Sequence, residues 1–314
     1  MFPFVLSLSG DLIGAFLNGW RAMSDFAAFI MRGRMHAILV AGLFGIFSLK
    51  VLPFGLLSAA VLGLVALRRG WPEGVVVAVG AAVLVWAGWF MMELRPGLKF
   101  PLVFALWLPL LFAAEALRRT ESQGLALIIV GLAAAAFVVV MHLVTGDVVA
   151  FWQAWLMRTV AAVPGATVQG FEREGTLRLM NGLVAGFYGM GLMLSLLCAR
   201  WLQSLLYNPG GFGPEFRRLR LPRLALPVVV GALWAAGAVN VIMVADLLIV
   251  GMMMYFFVGL AVIHGLVAMR GMHWGWLAPP YLALIFAFVY AVVGLALIGA
   301  TDALIDFRAR ARKR

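Results

Sequence analysis

The sequence predicts an all-α fold: a polytopic transmembrane helix bundle of eight or nine spans with an N-terminal interfacial helix. Hydrophobic residues make up 65% of the 314 residues and charged residues only 12%, against roughly 25% charged in soluble globular proteins. The apolar residues also fall in runs of about 20, the length at which a helix crosses the ~30 Å hydrocarbon core of a bilayer. A soluble fold is therefore excluded.

Nine apolar windows are the candidate spans. They cover residues 35–49, 51–67, 74–92, 100–117, 123–145, 179–199, 225–245, 247–269 and 274–300. Eight windows contain no charged residue, and the fourth carries Glu115 near its end. The first two are short and are separated by Lys50 and Pro53, so they form either two tilted spans or a hairpin that does not cross fully. We therefore predict eight or nine spans.

The windows and the polar connections divide the chain into five segments. Polar residues recur at seven-residue spacing on one face of residues 9–34, which predicts a helix lying in the membrane interface or packed on the bundle. These residues are Asp11, Asn18, Asp25 and Arg32. The segments are 1–34, amphipathic; 35–145, the first helical group; 146–178, a polar interfacial connection; 179–300, the second helical group with a cytoplasmic loop at 200–224; and 301–314, a basic tail.

An internal repeat connects two of the predicted hairpins. Leu49-Lys50 precedes the second window, which ends in Arg68-Arg69. Leu98-Lys99 precedes the fourth window, which ends in Arg118-Arg119. Two hairpins of the same design would place both arginine pairs on one side of the membrane.

The basic residues favour a cytoplasmic N-terminus, because lysine and arginine are enriched in cytoplasmic connections. Up to the seventh span, that orientation places twelve basic residues inside and six outside. The tail opposes it, since nine spans would place the basic residues of 308–314 outside. A re-entrant or miscounted segment at 51–67 or within 225–269 would remove the conflict.

The arginine pairs and the 200–224 loop form a predicted cytoplasmic surface for anionic lipid headgroups or a partner protein. Asn208-Pro209-Gly210-Gly211 is a strong turn signal that ends the preceding helix. The surface residues are Arg68, Arg69, Arg118, Arg119, Asn208, Arg217, Arg218 and Arg220.

Catalytic and cofactor motifs are not found in the sequence. Cys198 is the single cysteine, and the four histidines show no ligand spacing, so we predict no metal site. Gly-rich nucleotide loops, HExxH and GxSxG are missing. The net charge of +11 lies between apolar runs, which indicates topology signals and lipid contact instead of nucleic-acid binding. We expect no enzyme, no cofactor and no nucleic-acid partner.

Asp246 is the main candidate ligand-binding residue. It lies in the stretch 225–269, which has no other charge, and ionisable groups within a bilayer are functional candidates by default. Asn240 and His264 are its candidate partners at a cavity between the seventh and eighth spans. The alternative is that residues 240–246 form the tight turn between those spans, with Asp246 in water.

The other polar residues within the windows have simpler explanations. Glu115 is also a candidate ligand-binding residue, but pairing with Arg118 and Arg119 one turn away accounts for it. His142 and His264 lie near window ends, where interfacial or satisfied histidines are common. Small residues four apart, such as the glycine pair of 182–186, predict close helix packing.

Two segments resemble a known family. Residues 207–213, Tyr-Asn-Pro-Gly-Gly-Phe-Gly, are followed by Glu215-Phe216-Arg217, and the first hairpin ends in residues 67–70, Leu-Arg-Arg-Gly. Both resemble the YybS-like family of uncharacterised bacterial inner-membrane proteins, and the similarity covers residues 30–300. That family is distantly similar to the S-components of energy-coupling-factor transporters, which capture vitamins or metal ions and dock on a separate ATPase module. S-components commonly have six spans, and none of their ligand residues is carried over.

Two functions compete on these observations. The first is a multi-pass protein of the bacterial inner membrane that binds a small molecule or lipid, as a transport component in the S-component manner. Active transport would require a separate membrane or ATPase subunit, because no ATPase motif occurs in the sequence. The second is a non-transporting scaffold or accessory subunit of a membrane complex. Polar groups around a cavity favour the first, and polar groups confined to loops favour the second.

Overall fold

The computed structural model describes residues 19–92, 103–160, 175–222, 224–238 and 240–312. Of these residues, 88% are helical and none lies in a strand, which confirms the all-α class. The helices are α1 Gly19–Met31, α2 Arg34–Ser48, α3 Pro53–Arg69, α4 Trp71–Met91, α5 Val103–Thr120, α6 Gln123–Thr145, α7 Val148–Val160, α8 Thr176–Tyr207, α9 Phe212–Phe216, α10 Ala225–Gly237, α11 Val241–Met269, α12 Ala278–Phe286, α13 Phe288–Ile305 and α14 Phe307–Arg312, with a 3₁₀ turn at Trp274–Leu277.

Five helices are long and apolar enough to cross a membrane: α4, α6, α8, α11 and α13. A sixth span arises if α1 and α2, which meet at 115°, are counted together. The sequence-based count of eight or nine also included helices that do not meet this criterion. Helix α3 has 17 residues, and the last turns of α5 carry three charged side chains. Of the N-terminal segment, α1 lies within the described residues, whereas Asp11 and Asn18 lie outside them.

Three boundaries differ from the predicted windows. The helices of the seventh and eighth windows end at Gly237 and begin at Val241, because Asn240 caps the start of α11. Helix α8 continues to Tyr207, so the loop predicted from residue 200 begins at Asn208. The ninth window is interrupted at Ala287, whose φ of −143° and ψ of 50° are not helical. Uniformly apolar sequence carries little information on where helices break, and no glycine or proline marks the break at Ala287.

The structure divides into two compact units. The first comprises residues 1–119 and 194–214, and the second comprises residues 120–193 and 215–314. In the first unit α3 is the central helix, and ten consecutive residues from Ser58 to Leu67 are buried. Helices α2 and α4 approach closely where Gly42 faces Leu84 and Gly88 faces Ile46. Small residues allow this approach, as expected where packing drives helix association in lipid.

The second unit is built around α11. Helix α8 runs parallel to α11, and Gly182, Gly186 and Gly189 of α8 lie against successive turns of α11. The predicted close packing at Gly182 and Gly186 is thereby confirmed. Helix α10 forms an antiparallel hairpin with α11, and α13 crosses α11 where Gly259 meets Gly299.

The segment from Trp274 to Ile305 folds back on itself in the second unit. Tyr281, near its beginning, contacts His264 of α11. Arg308, just past its end, contacts Gly265, the next residue of α11. A straight helix from Tyr281 to Arg308 would be about 40 Å long, so these two residues can meet neighbouring residues of α11 only because the chain reverses near Ala287. The re-entrant or miscounted segment predicted at 51–67 or within 225–269 stays a prediction.

Candidate functional site

The candidate site is a buried polar cluster where α6 ends and α8 and α11 begin. The Asp246 side chain is fully buried. Its Oδ1 accepts a hydrogen bond from the Gly182 backbone N–H at 2.8 Å, and its Oδ2 accepts one from Asn181 Nδ2 at 2.8 Å. The Nε2 atom of His142 lies 2.8 Å from the same Oδ2. Three helices are thus joined through one carboxylate.

Asp246 reaches this position because α11 begins earlier than the sequence analysis allowed. The Asn240 side-chain Oδ1 accepts the backbone N–H groups of Ile242 and Met243 at 2.8 and 3.3 Å. This N-cap starts the helix at Val241, and Asp246 then lies in its second turn. The interpretation of residues 240–246 as a tight turn with Asp246 in water was therefore wrong.

Gly182 allows the backbone of α8 to reach the carboxylate. A Cβ atom at this position would lie 2.7 Å from the Asp246 Cα and 2.8 Å from its Oδ1. Any other residue would push α8 away from α11 and break the hydrogen bond from the Gly182 N–H. The glycine is therefore a requirement of the site as well as of helix packing.

Asn181 and Trp152 hold the cluster from the other side. The Asn181 amide is 1% exposed, and its Oδ1 accepts a hydrogen bond from Trp152 Nε1 at 3.3 Å. Trp152 belongs to α7, which Asp147 caps by accepting the N–H groups of Val149 and Ala150. Helix α7 lies in the first half of the 146–178 connection and supplies a donor to the site.

The predicted partners of Asp246 were wrong, because packing brings other residues to it. Asn240 uses its side chain as a helix cap. His264 lies near the opposite end of α11, where its Nδ1 meets the Leu260 carbonyl oxygen at 2.8 Å and its Nε2 meets the Tyr281 hydroxyl at 3.2 Å. The true partner, His142, is 104 residues away in sequence, and no spacing pattern points to it.

Glu115 is part of an arginine cluster and not of the buried site. Its carboxylate accepts from Arg118 at 2.7 and 2.8 Å, from Arg119 at 2.5 Å and from the Trp71 backbone N–H at 3.2 Å. The predicted pairing with both arginines is confirmed. The Arg118 guanidinium also lies against Gly70, at the end of α3.

This contact places both arginine pairs at one end of the first unit, which we call the arginine end. Arg69 donates to the Met31 carbonyl oxygen at 2.7 Å, and the Arg68 guanidinium lies 4.0 Å from the centre of the Tyr207 ring. The predicted turn at Asn208 follows directly, with Gly210 at φ +81°. The arginine end therefore comprises the residues Arg68, Arg69, Arg118, Arg119 and Asn208.

The remaining predicted surface residues lie in the second unit. Arg218 is exposed. Arg220 forms a two-bond ion pair with Asp306 at 2.7 and 2.8 Å. The hydrogen bond from Arg220 holds the pKa of the Asp306 carboxyl below its ordinary value, and the N–H of Ala309 contributes. The Arg217 backbone carbonyl accepts from Arg308 at 3.0 Å. Arg217, Arg220 and the tail thus lie at one end of this unit.

A second buried ion pair was missed by the sequence analysis. Arg308 Nη2 lies 2.7 Å from Asp302 Oδ2, and the two side chains are only 4% and 3% exposed. Arg308 Nη1 also donates to the Leu219 carbonyl oxygen at 2.9 Å. Burial lowers the pKa of the Arg308 guanidinium from its ordinary value, and the hydrogen bond that it donates to Asp302 opposes that effect. The sequence analysis had placed Arg308 in the basic tail of residues 301–314.

An apolar pocket of about 400 Å³ lies between α6, α10 and α11. All of its lining residues are apolar, and they include Leu132, Ala135, Val229, Val250 and Met254. Asp246 is not among them, although the next residue, Leu247, is. The predicted cavity at the Asp246 carboxylate is therefore not this pocket. Around the carboxylate itself, protein donors occupy both oxygens.

Comparisons with known proteins assign no function. No family model matches the chain, and neither a curated protein nor a solved structure matches it. The resemblance to the YybS-like family therefore stays a prediction. Within the described ranges, no group of three or more His, Cys, Asp or Glu side chains is placed to hold a metal ion.

Proposed function

We propose that this protein is a multi-pass protein of the bacterial inner membrane that binds an apolar chain in the pocket between α6, α10 and α11. The observation that carries the proposal is the pocket itself. Its volume of about 400 Å³ falls within the roughly 300–1,000 Å³ of small-molecule sites. A polar ligand group buried against such a lining would lose its hydrogen bonds, so the ligand is an acyl chain or a similar apolar tail.

The mobility expected of α10 supports this proposal. Helix α10 has 13 residues and forms one wall of the pocket. The described residues 221–222 before it and 238 after it are not helical. It faces α11 at two glycines, where even an added Cβ would make only ordinary van der Waals contact: 3.5 Å from Val229 at Gly251 and 3.6 Å from Val244 at Gly237. Helix α10 is thus able to move aside and admit a chain without unwinding α6 or α11.

Filling the pocket is expected to expel the ligand. Gly251 lines the pocket, and Gly251→Leu places a side chain in the space for the apolar chain. Native mass spectrometry after purification in mild detergent should show an apolar molecule bound to the wild type and at least tenfold less on Gly251→Leu. Extraction with organic solvent then distinguishes a membrane lipid from another apolar compound.

The matched control is Gly231→Leu. Gly231 lies on α10, does not line the pocket and has no neighbour within 4 Å of an added Cβ. This variant should retain the ligand as the wild type does. Equal retention by both variants, or a wild type without any bound apolar molecule, would contradict the proposed function.

If the protein acts as a transport component, a separate membrane or ATPase subunit is required as well. The arginine end of the first unit is the proposed contact for that subunit or for anionic headgroups. The same purification distinguishes the alternative: a stoichiometric companion protein together with an empty pocket would favour a scaffold or accessory subunit.

The proposed topology places the arginine end and the 217–220 segment in the cytoplasm. The positive-inside rule and the placement of both arginine pairs at one end of the first unit support this orientation. In a Cys198→Ala background, single cysteines at the exposed positions Thr120 and Arg218 should resist an impermeant reagent added to intact cells. A cysteine at Val144, which is 77% exposed at the other end of α6, should react. Labelling of Thr120 or Arg218 from outside would contradict this topology.

A further inference from the structure

The carboxylate of Asp246 is surrounded by hydrogen-bond donors. Three groups point at it: the Gly182 N–H, the Asn181 amide and the His142 ring, each at 2.8 Å. Among the described residues, its one ion-pair partner is His142. A buried charge without a countercharge is strongly disfavoured, so the charge state of this ring decides whether the cluster is neutral.

The groups that face the pair come from four helices, and most are uncharged. Helix α6 supplies His142, α11 supplies Asp246, and α8 supplies Asn181 and the Gly182 N–H. Helix α7 supplies Trp152, which reaches the pair through Asn181. Of these groups, only the carboxylate and the imidazole can change their charge by gaining or losing a proton.

We propose that Asp246 and His142 form a proton-binding site, with one proton held between Asp246 Oδ2 and His142 Nε2. With that proton the pair is neutral overall, either as carboxylate and imidazolium or as carboxylic acid and imidazole. Binding forms one N–H or O–H bond and takes the proton from hydronium, leaving water. Release reverses this step and leaves one buried negative charge. No other reactant takes part.

The position of His142 gives the proton a route. His142 lies in the last turn of α6, close to Gly146, and its side chain is 9% exposed, whereas that of Asp246 is fully buried. The proton therefore reaches the pair through the imidazole, from the end of α6 and not from the centre of the bilayer. Buried aspartate–histidine pairs in membranes are suited to proton relays.

The site also connects two walls of the pocket. Helix α6 carries His142 and the pocket residue Ala135, and α11 carries Asp246 and the adjacent pocket residue Leu247. The proton site itself does not depend on what occupies the pocket. Its test therefore uses proton binding and not ligand binding as the measurement.

The test counts protons bound by the full-length protein in lipid vesicles. Potentiometric titration and infrared difference spectra between acidic and alkaline buffer are compared for the wild type, Asp246→Asn, His142→Gln and the double variant. Two groups that share a proton are coupled, so removing one should move the pH at which the other binds its proton by about one unit or more. In the infrared spectra the carboxyl band of Asp246 should therefore vanish in Asp246→Asn and appear at a shifted pH in His142→Gln. The double variant should show no proton uptake at this site.

Two outcomes would overturn the proposal. A carboxyl band that is unchanged in Asp246→Asn would show that Asp246 binds no proton, and an unchanged pH of proton uptake in both single variants would show two independent groups. His273→Gln serves as the control, because the ring of His273 binds the exposed Gly275 N–H and its loss should leave the carboxyl bands unchanged. If Asp246→Asn does not fold, His142→Gln decides the question, since it removes a side chain at the rim of the cluster.

Discussion

Gly299→Ala is expected to destabilise the second unit by about 3 kcal/mol or more, at the upper end of the range for overpacked cores. A methyl group at Gly299 would overlap the Tyr255 carbonyl oxygen and lie 2.7 Å from the Gly259 nitrogen. Both are backbone atoms of α11, so no side-chain rotation relieves the clash. We expect a lower melting temperature in detergent and loss of the α11–α13 packing.

The control is Gly294→Ala, five residues earlier on the same helix. An added Cβ at Gly294 has no neighbour within 4 Å, and alanine is the better helix former by up to about 1 kcal/mol. Its melting temperature should therefore equal or exceed that of the wild type. Gly259→Ala provides a second test from the opposite helix, because its methyl group would overlap the Leu295 carbonyl oxygen. If Gly299→Ala melts like Gly294→Ala, the described crossing of α11 and α13 is incorrect.

The sequence predicted the helices best where polar residues flank an apolar run. The window 123–145 coincides with α6, which Ser122 caps by accepting the Leu125 N–H at 3.2 Å. Where the sequence stays apolar, the boundaries were missed. The division between the seventh and eighth windows was placed at Asp246 because it is the only charge there, but Asn240 is the capping residue. The capping residue Asn240 marked the start of the helix better than the charged residue Asp246 did.

The candidate site could be predicted only in part. Asp246 was identified because ionisable residues are rare in apolar windows. Its partner His142 could not be, since a contact across 104 residues is set by how α6 packs on α11. The glycine pair of 182–186 did predict a close helix approach, but not that the Gly182 N–H would bind a carboxylate. Local sequence patterns therefore indicated Asp246 and the glycine pair, whereas helix packing determined which side chains meet the carboxylate.

The tail illustrates the same limit. Its arginines were used only as charges that indicate membrane orientation, and no partner was predicted for any of them. The chain instead turns at Asp306, whose φ is +53°, and this turn brings Arg308 back against Asp302. Because Arg308 also donates to carbonyl oxygens 91 and 89 residues away in sequence, no local pattern around residue 308 predicts the burial of its side chain.

Arg308→Met is expected to lower the free energy of unfolding by about 3–5 kcal/mol. The substitution keeps much of the apolar side-chain volume but leaves the Asp302 carboxylate buried without a countercharge, and breaking a buried pair from one side has this cost. It also removes the donor to the Arg217 and Leu219 carbonyl oxygens, which connects the tail to the 217–219 segment. Thermal or denaturant unfolding in detergent micelles measures the loss.

A double-mutant cycle separates the charge from the packing. Arg310→Met, an exposed position on the same helix, should change stability by less than about 0.5 kcal/mol. Adding Asp302→Leu to Arg308→Met removes the uncompensated charge, and replacing a buried ion pair by apolar residues is often neutral or stabilising. The double variant should therefore be more stable than Arg308→Met alone, although its tail still lacks the two carbonyl contacts. A double variant as unstable as the sum of its single variants would show that the pair is not coupled, and the loss in Arg308→Met would then come from packing and from the two carbonyl bonds.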